Sequence, residues 1–184
     1  DIDDTNGYSV VLDLNKQEQE FVLSNVTEKP LPSLLRGFSA PVKLNYAYSR
    51  DELTFLMSYD SDSFNRWEAA NRLATQILLE ISGFVENETE IFIDERLIEA
   101  VGANLRLALD EQKGVSYDKA MLANMLTLPT EAYLIDASSV ANVDAISQAR
   151  KILKRELALR FEDHFYDIFL QNDLSGPYSP DGES

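Results

Sequence analysis

Apolar and polar positions follow two different periods in this chain, and the change falls near Ser49. Before it, residues 8–14 and 21–26 are rich in β-branched and aromatic side chains and flank the polar stretch NKQEQE. That is the pattern of two strands joined by a hairpin. Pro30, Pro32 and Pro41 punctuate the next stretch, after which Val42, Leu44, Tyr46 and Tyr48 alternate with Lys43, Asn45 and Ala47. A period of two predicts a half-buried strand. Three strands alone leave open edges and an uncovered face, so residues 1–48 read as a portion of a β-sandwich.

From Ser49 the period becomes helical. Ser49 and Glu52 form a capping-box pattern ahead of Leu53, Leu56 and Met57. A long helix follows, with Phe64, Trp67, Ala70, Ala74, Ile77, Leu78 and Ile81 inward, Asn65, Glu68, Arg72 and Glu80 on other faces, and Gly83 at its stop. This places Trp67 in the core. Asp94 caps a second long helix that turns Leu97, Ile98, Val101, Leu105 and Leu109 inward, with Gly114 ending its trailing loop. Ser116 starts a third carrying Tyr117, Met121, Met125 and Leu128 until Pro129, and residues 130–138 allow a short one. Asn142 caps the longest, where Ile146, Ala149, Leu153, Leu157, Phe161, Phe165, Ile168 and Phe169 form one continuous stripe. Amphipathic helices joined by short turns imply stacked antiparallel hairpins, as in helical-repeat arrays. The Gly, Pro and Ser-rich tail SGPYSPDGES reads as a loop.

Composition narrows the chemistry. Hydrophobic residues make up 45% and charged residues 26% of 184 residues, enough for a packed core. Sixteen Lys and Arg against 32 Asp and Glu give a net charge of −16, which repels nucleic-acid phosphates and anionic lipid headgroups. The acidity lies mostly in residues 51–184, with 25 acids and 11 bases, against seven and five before. The longest apolar run is four residues, where a membrane span needs about 20. The first residues carry no export signal, and the absence of Met at position 1 fits an excerpt from something longer. With no cysteine and a single histidine, His164, disulfides, Cys-based zinc sites, thiol nucleophiles and H-E-x-x-H sites are all excluded within this chain.

The remaining candidates are weak. His164 sits at the edge of the apolar stripe with Arg160 and Asp167 within a turn, the setting of a structural or surface histidine. The carboxylate pairs Asp60 with Asp62, Asp110 with Glu111, and Glu162 with Asp163 arise readily among 32 acids and read as solvated faces. DSDSFNRWE starts like a calcium loop, but Asn65 stands where an EF-hand needs glycine, and a charged helix start explains it more simply. No G-x-x-x-x-G-K-[ST] or G-x-S-x-G motif is present. Trp67 and the Phe stripe read as core rather than as a ligand groove.

Three stretches carry a resemblance. PLPSLLRGFSAPVKLNY, then LTFLMSYDSDSFNRWEAANRLA, and later MLTLPTE resemble bacterial aminopeptidase N, of the zinc-dependent gluzincin aminopeptidases. The resemblance implies that residues 1–48 are the C-terminal part of an immunoglobulin-like β-sandwich. It implies that residues 49–184 are the N-terminal part of an α-helical repeat-like domain, a superhelical array of antiparallel helices. The family's G-A-M-E-N and H-E-x-x-H motifs are missing here. The implied site set is therefore no catalytic residue, no metal ligand, and substrate-binding residues that sequence does not identify. The implied role is a non-catalytic internal segment of a cytoplasmic parent that holds zinc elsewhere and removes N-terminal residues from peptides. Its implied partners are the catalytic domain and remaining helical domain of that chain and its peptide substrates, with no nucleic acid and no membrane. The residues alone also support an acidic helical-repeat scaffold for protein or peptide binding.

Overall fold

The computed structural model describes residues 12–110 and 119–172. The chain divides into two compact units, Asp1–Pro32 and Ser33–Ser184.

In the first unit the described residues form no helix and no strand. The polar stretch after Leu14 closes into a turn through Gln19, which accepts from the Asn15 N–H at 3.1 Å and donates to the Asp13 carbonyl at 3.0 Å. The expected strand at 21–26 is not formed, and of the one at 8–14 only 12–14 lie within the described residues, also unpaired. A strand exists by its ladder, and among the described residues no ladder forms here; Val22 stays 72% exposed.

The second unit begins with a 3-10 turn, Arg36–Phe38, in which Leu35, Gly37 and Phe38 all have left-handed backbone. The alternating segment 42–48 likewise forms no strand, correcting the third expected one. Its every-second carbonyls, those of Leu44 and Tyr46, face one way and accept from the Arg72 guanidinium at 3.2 and 3.3 Å. A side chain from a helix thus takes the place of a ladder.

Seven α-helices lie among the described residues: α1 Arg50–Tyr59, α2 Ser63–Glu86, α3 Glu95–Leu109, α4 Lys119–Leu126, α5 Glu131–Ala137, α6 Val143–Arg160 and α7 Glu162–Asn172. The caps follow the sequence. Ser49 and Glu52 form the reciprocal box of α1, and Asp62, Asp94, Thr130 and Asn142 each accept from an N–H of the first turn of their helix. The expected start at Ser116, with Gly114 and Tyr117, lies outside the described residues.

α2 runs through the middle of the packing, against α1 and α6 most extensively and also against α4, α5, α3 and the Arg36–Phe38 turn. Its buried face carries Asn65, Ala69, Ala70, Leu73, Ala74, Ile77, Leu78, Ile81 and Ser82. The face is rotated from the expected one: Trp67 is half-buried, and Asn65 is inside. Leu53 and Met57 of α1, Leu105 of α3, Leu134 of α5, and Ile146 and Leu153 of α6 complete the interior. Gly83 does not stop α2, which continues to Glu86; the turn comes at Glu88, with φ 51°.

The expected last helix is two. The backbone leaves helical geometry at Phe161 (φ −126°, ψ 25°), and α7 buries none of its residues, so Phe165, Ile168 and Phe169 do not continue the α6 core stripe. The Phe161 ring, 8% exposed, is driven against α3. A Cβ added at Gly102 of α3 would sit 2.8 Å from that ring, closer than side chains approach. Burial of the ring decides the break, and a glycine makes room for it. Gly102→Ala, which in an open helix gains about 1 kcal/mol, should therefore destabilise the chain by roughly 1–3 kcal/mol in denaturant titration. A higher midpoint would show that the ring can shift at no cost.

Candidate functional site

A polar cluster forms where the Arg36–Phe38 turn meets the start of α2. Asp60, whose side chain is 1% exposed, accepts from Ser33 Oγ at 2.5 Å, Arg36 Nη1 at 2.7 Å and the Asp62 N–H at 2.8 Å. Asp62 accepts from the Asn65 N–H at 2.9 Å and the Gly37 N–H at 2.8 Å, so one carboxylate caps α2 and grips the turn. The Asn65 amide closes the cluster by donating to Ser33 Oγ at 2.7 Å and the Leu34 carbonyl at 3.0 Å. Phe38 packs edge-on to Phe64 with centroids 5.1 Å apart, and Phe64 meets Trp67 at 5.7 Å.

A second network joins the starts of α1 and α3 to α2. Arg50 donates to Glu80 and to Asp94, each at 2.9 Å. Asp94, 7% exposed at its side chain, also accepts from the Arg96 N–H at 3.1 Å and from Arg96 Nε at 3.0 Å. Burial opposes charge on Asp94, but the donors from Arg50 and Arg96 outweigh it and hold the carboxyl below its usual range. Burial likewise works against the Arg50 cation, and its bonds to Asp94 and Glu80 still raise its pKa. Inside, Arg66 of α2 donates to the Met57 carbonyl at 3.2 Å and to Asn104 of α3, whose amide donates to the Ala100 carbonyl at 2.8 Å. No buried side-chain nitrogen or oxygen among the described residues lacks a partner. These groups fasten segments together.

The sequence candidates are dispersed. His164 is half-buried on α7, edge-on to Phe161 with centroids 5.8 Å apart. Asp60 and Asp62 meet in the cluster, where backbone and arginine donors occupy them. Asp110 ends α3, and Glu111 lies outside the described residues. Glu162 and Asp163 are exposed in the first turn of α7, where the helix dipole favours them. No three His, Asp or Glu side chains among the described residues are grouped to hold a metal ion. No helix among them is long and apolar enough to cross a membrane. Sequence reasoning missed Ser33, Arg36, Asn65 and Asn104. Asn65 and Asn104, each polar on an otherwise apolar helix face, left the readable signals, although the expected face of α2 put Asn65 outside it.

Helices packed about α2, with segments fastened by arginine–carboxylate links, define the described part of residues 50–172 as an all-helical array. The chain belongs to the family described as "Domain of unknown function (DUF3458_C) ARM repeats", which matches residues 50–184, while "Domain of unknown function (DUF3458) Ig-like fold" matches residues 2–47. It is similar to Aminopeptidase N of Escherichia coli, 36% identical over 163 residues, and of Haemophilus influenzae, 30% identical over 164 residues. Each match takes in 88% of this chain and 18% of the relative. It is also similar to a crystal structure of Legionella pneumophila aminopeptidase A in complex with aspartic acid, with a TM-score of 0.69 and 28% identity over 90% of this chain and 18% of that one. The chain thus spans about a fifth of the length of these relatives, 18%.

Two outcomes test the networks. Asp60→Ala should cost about 2–4 kcal/mol, because Ser33 and Arg36 lose a charged acceptor, and should speed hydrogen exchange at the Gly37 amide. An unchanged midpoint and unchanged exchange would refute the clamp. Asp94, depressed when folded, contributes stability that is complete above its unfolded value of about 3.9 and lost as pH falls through the lower folded value. Stability measured by denaturant titration should therefore decline below about pH 4. Asp94→Asn should flatten that decline, and an identical pH profile in the variant would contradict the assignment.

Proposed function

We propose that this chain is a non-catalytic internal segment of an aminopeptidase N. Its parent is a zinc metallopeptidase of the cytoplasm that hydrolyses N-terminal residues from peptides, and the segment braces and caps the catalytic domain. One observation carries the reading: 88% of the chain aligns at 36% identity with a single stretch of E. coli Aminopeptidase N. The donor set supports the division of labour. Zinc hydrolysis needs three protein ligands and an open fourth position; with one imidazole and no thiolate, carboxylates would have to complete the set, and among the described residues no three such side chains are grouped to do so. Zinc and the residues that activate water belong, on this reading, to the rest of the parent. The partners are the catalytic domain and the remaining helices of the same chain, and the substrates are peptides. Nucleic acid and membrane surfaces are not partners of so acidic a chain. Residues 1–48 act as the last part of the bracing sandwich and residues 49–184 as the first part of the helical cap.

The test is metal analysis of the purified 184-residue chain after dialysis, together with hydrolysis of a chromogenic aminoacyl substrate in added zinc. The expected result is no stoichiometric zinc and no turnover, with G-A-M-E-N and H-E-x-x-H motifs encoded elsewhere in the same reading frame. Turnover that His164→Ala abolishes would overturn the reading, as would a reading frame without those motifs.

A further inference from the structure

We propose that the groove between α6 and the turn joining α4 to α5 binds an acidic peptide segment with apolar side chains. The groove encloses about 560 Å³, within the size range of clefts that take small ligands. Leu126, Leu128, Leu157 and Phe165 give it an apolar lining, and its charged groups are Arg150, Lys151, Lys154 and Glu131. Arg150 is already committed, donating to the Pro129 carbonyl at 2.7 Å and standing 3.8 Å from Glu131. Lys151 and Lys154 are not. They lie three residues apart on one face of α6, exposed, and make no ion pair among the described residues.

The sign of this groove is the opposite of the chain's net charge. In a chain with twice as many acids as bases, its lining holds three cations and one engaged acid. Charge complementarity therefore selects an anionic occupant, and the leucine and phenylalanine lining selects one that brings apolar side chains between its acids. A peptide meets both demands. A nucleic acid meets only the first, and the chain's overall charge of −16 repels it. The inference does not depend on the chain's place in a peptidase.

Isothermal titration of the 184-residue chain at low salt tests it. The probes are a capped hexapeptide of alternating glutamate and leucine, its lysine–leucine counterpart, and an oligothymidylate. The expected result is saturable one-to-one binding of the acidic peptide alone, weakened roughly tenfold or more by the pair Lys151→Glu and Lys154→Glu and also by added salt. No saturable binding, equal binding by the charge-reversed chain, or equal or tighter binding of the other probes would overturn it. So would light scattering that finds the groove closed by a second copy, a self-association the reversal abolishes. Should the variant lose helical signal, amide shifts in the unaltered chain decide, with perturbation at Lys151, Lys154 and Phe165 expected and perturbation confined elsewhere contradicting the site.

Discussion

The burial of α2 is the constraint on which the helical unit depends. A helix of 24 residues draws little stability from its own hydrogen bonds in water and owes its persistence to the packing of its faces. Here α1, α6, α4, α5 and the Arg36–Phe38 turn all lie against it, so most of the interior is assembled on one surface. Leu73, Ile77, Leu78 and Ile81 are at most 1% exposed, each worth about 1.5–3 kcal/mol of burial. Ala69, Ala70 and Ala74 give that surface a smooth stretch where neighbours can come close. Ends matter as much as faces. Asp62 satisfies the first turn of α2 and with Asp60 fixes the segment before it, so register and approach are set at one point.

Charge is distributed on a related principle. In so acidic a chain cations are scarce, and arginine is used where segments must be joined. Arg36 links the turn to the start of α2, Arg50 and Arg96 link α1, α2 and α3, Arg72 holds the carbonyls of Leu44 and Tyr46, and Arg160 reaches Glu95 at the start of α3 at 2.9 Å. A planar guanidinium can donate to two acceptors at once, which suits it to fasten one segment to two others, whereas an ammonium acts as a point charge. Among the described residues Lys151 and Lys154 make no such link, and they stand beside an apolar groove. The position of the unspent cations gives that groove its chemical character.

Features decided within a few residues were legible in the sequence. The Ser49–Glu52 box and the caps at Asp94 and Asn142 stand where the side chains put them, because capping is a contact between near neighbours. Features that depend on distant partners were not. The alternation in 42–48 produced no strand, because a ladder requires a second strand, and Arg72 took the carbonyls instead. Gly83 looked like a stop, yet a glycine ends a helix only where the backbone turns left-handed, and here that happens at Glu88. The stripe through Phe161 was unbroken in sequence, while the pull of its ring towards Gly102 broke the helix in space. The polar cluster was the hardest to see, since Ser33, Arg36, Asp60 and Asn65 come from three separate stretches. The resemblance to aminopeptidase N rested on motifs spread along the chain and needed none of these contacts.

The most direct test of α2 as the organising element is native-state hydrogen exchange along the whole chain. The amides of residues 73–81 should exchange slowest of all, and only through global unfolding, so that their opening free energy and its denaturant dependence equal those of the whole unit. Slower exchange in α3 or α6, with residues 73–81 opening in a smaller, separate event, would contradict the account.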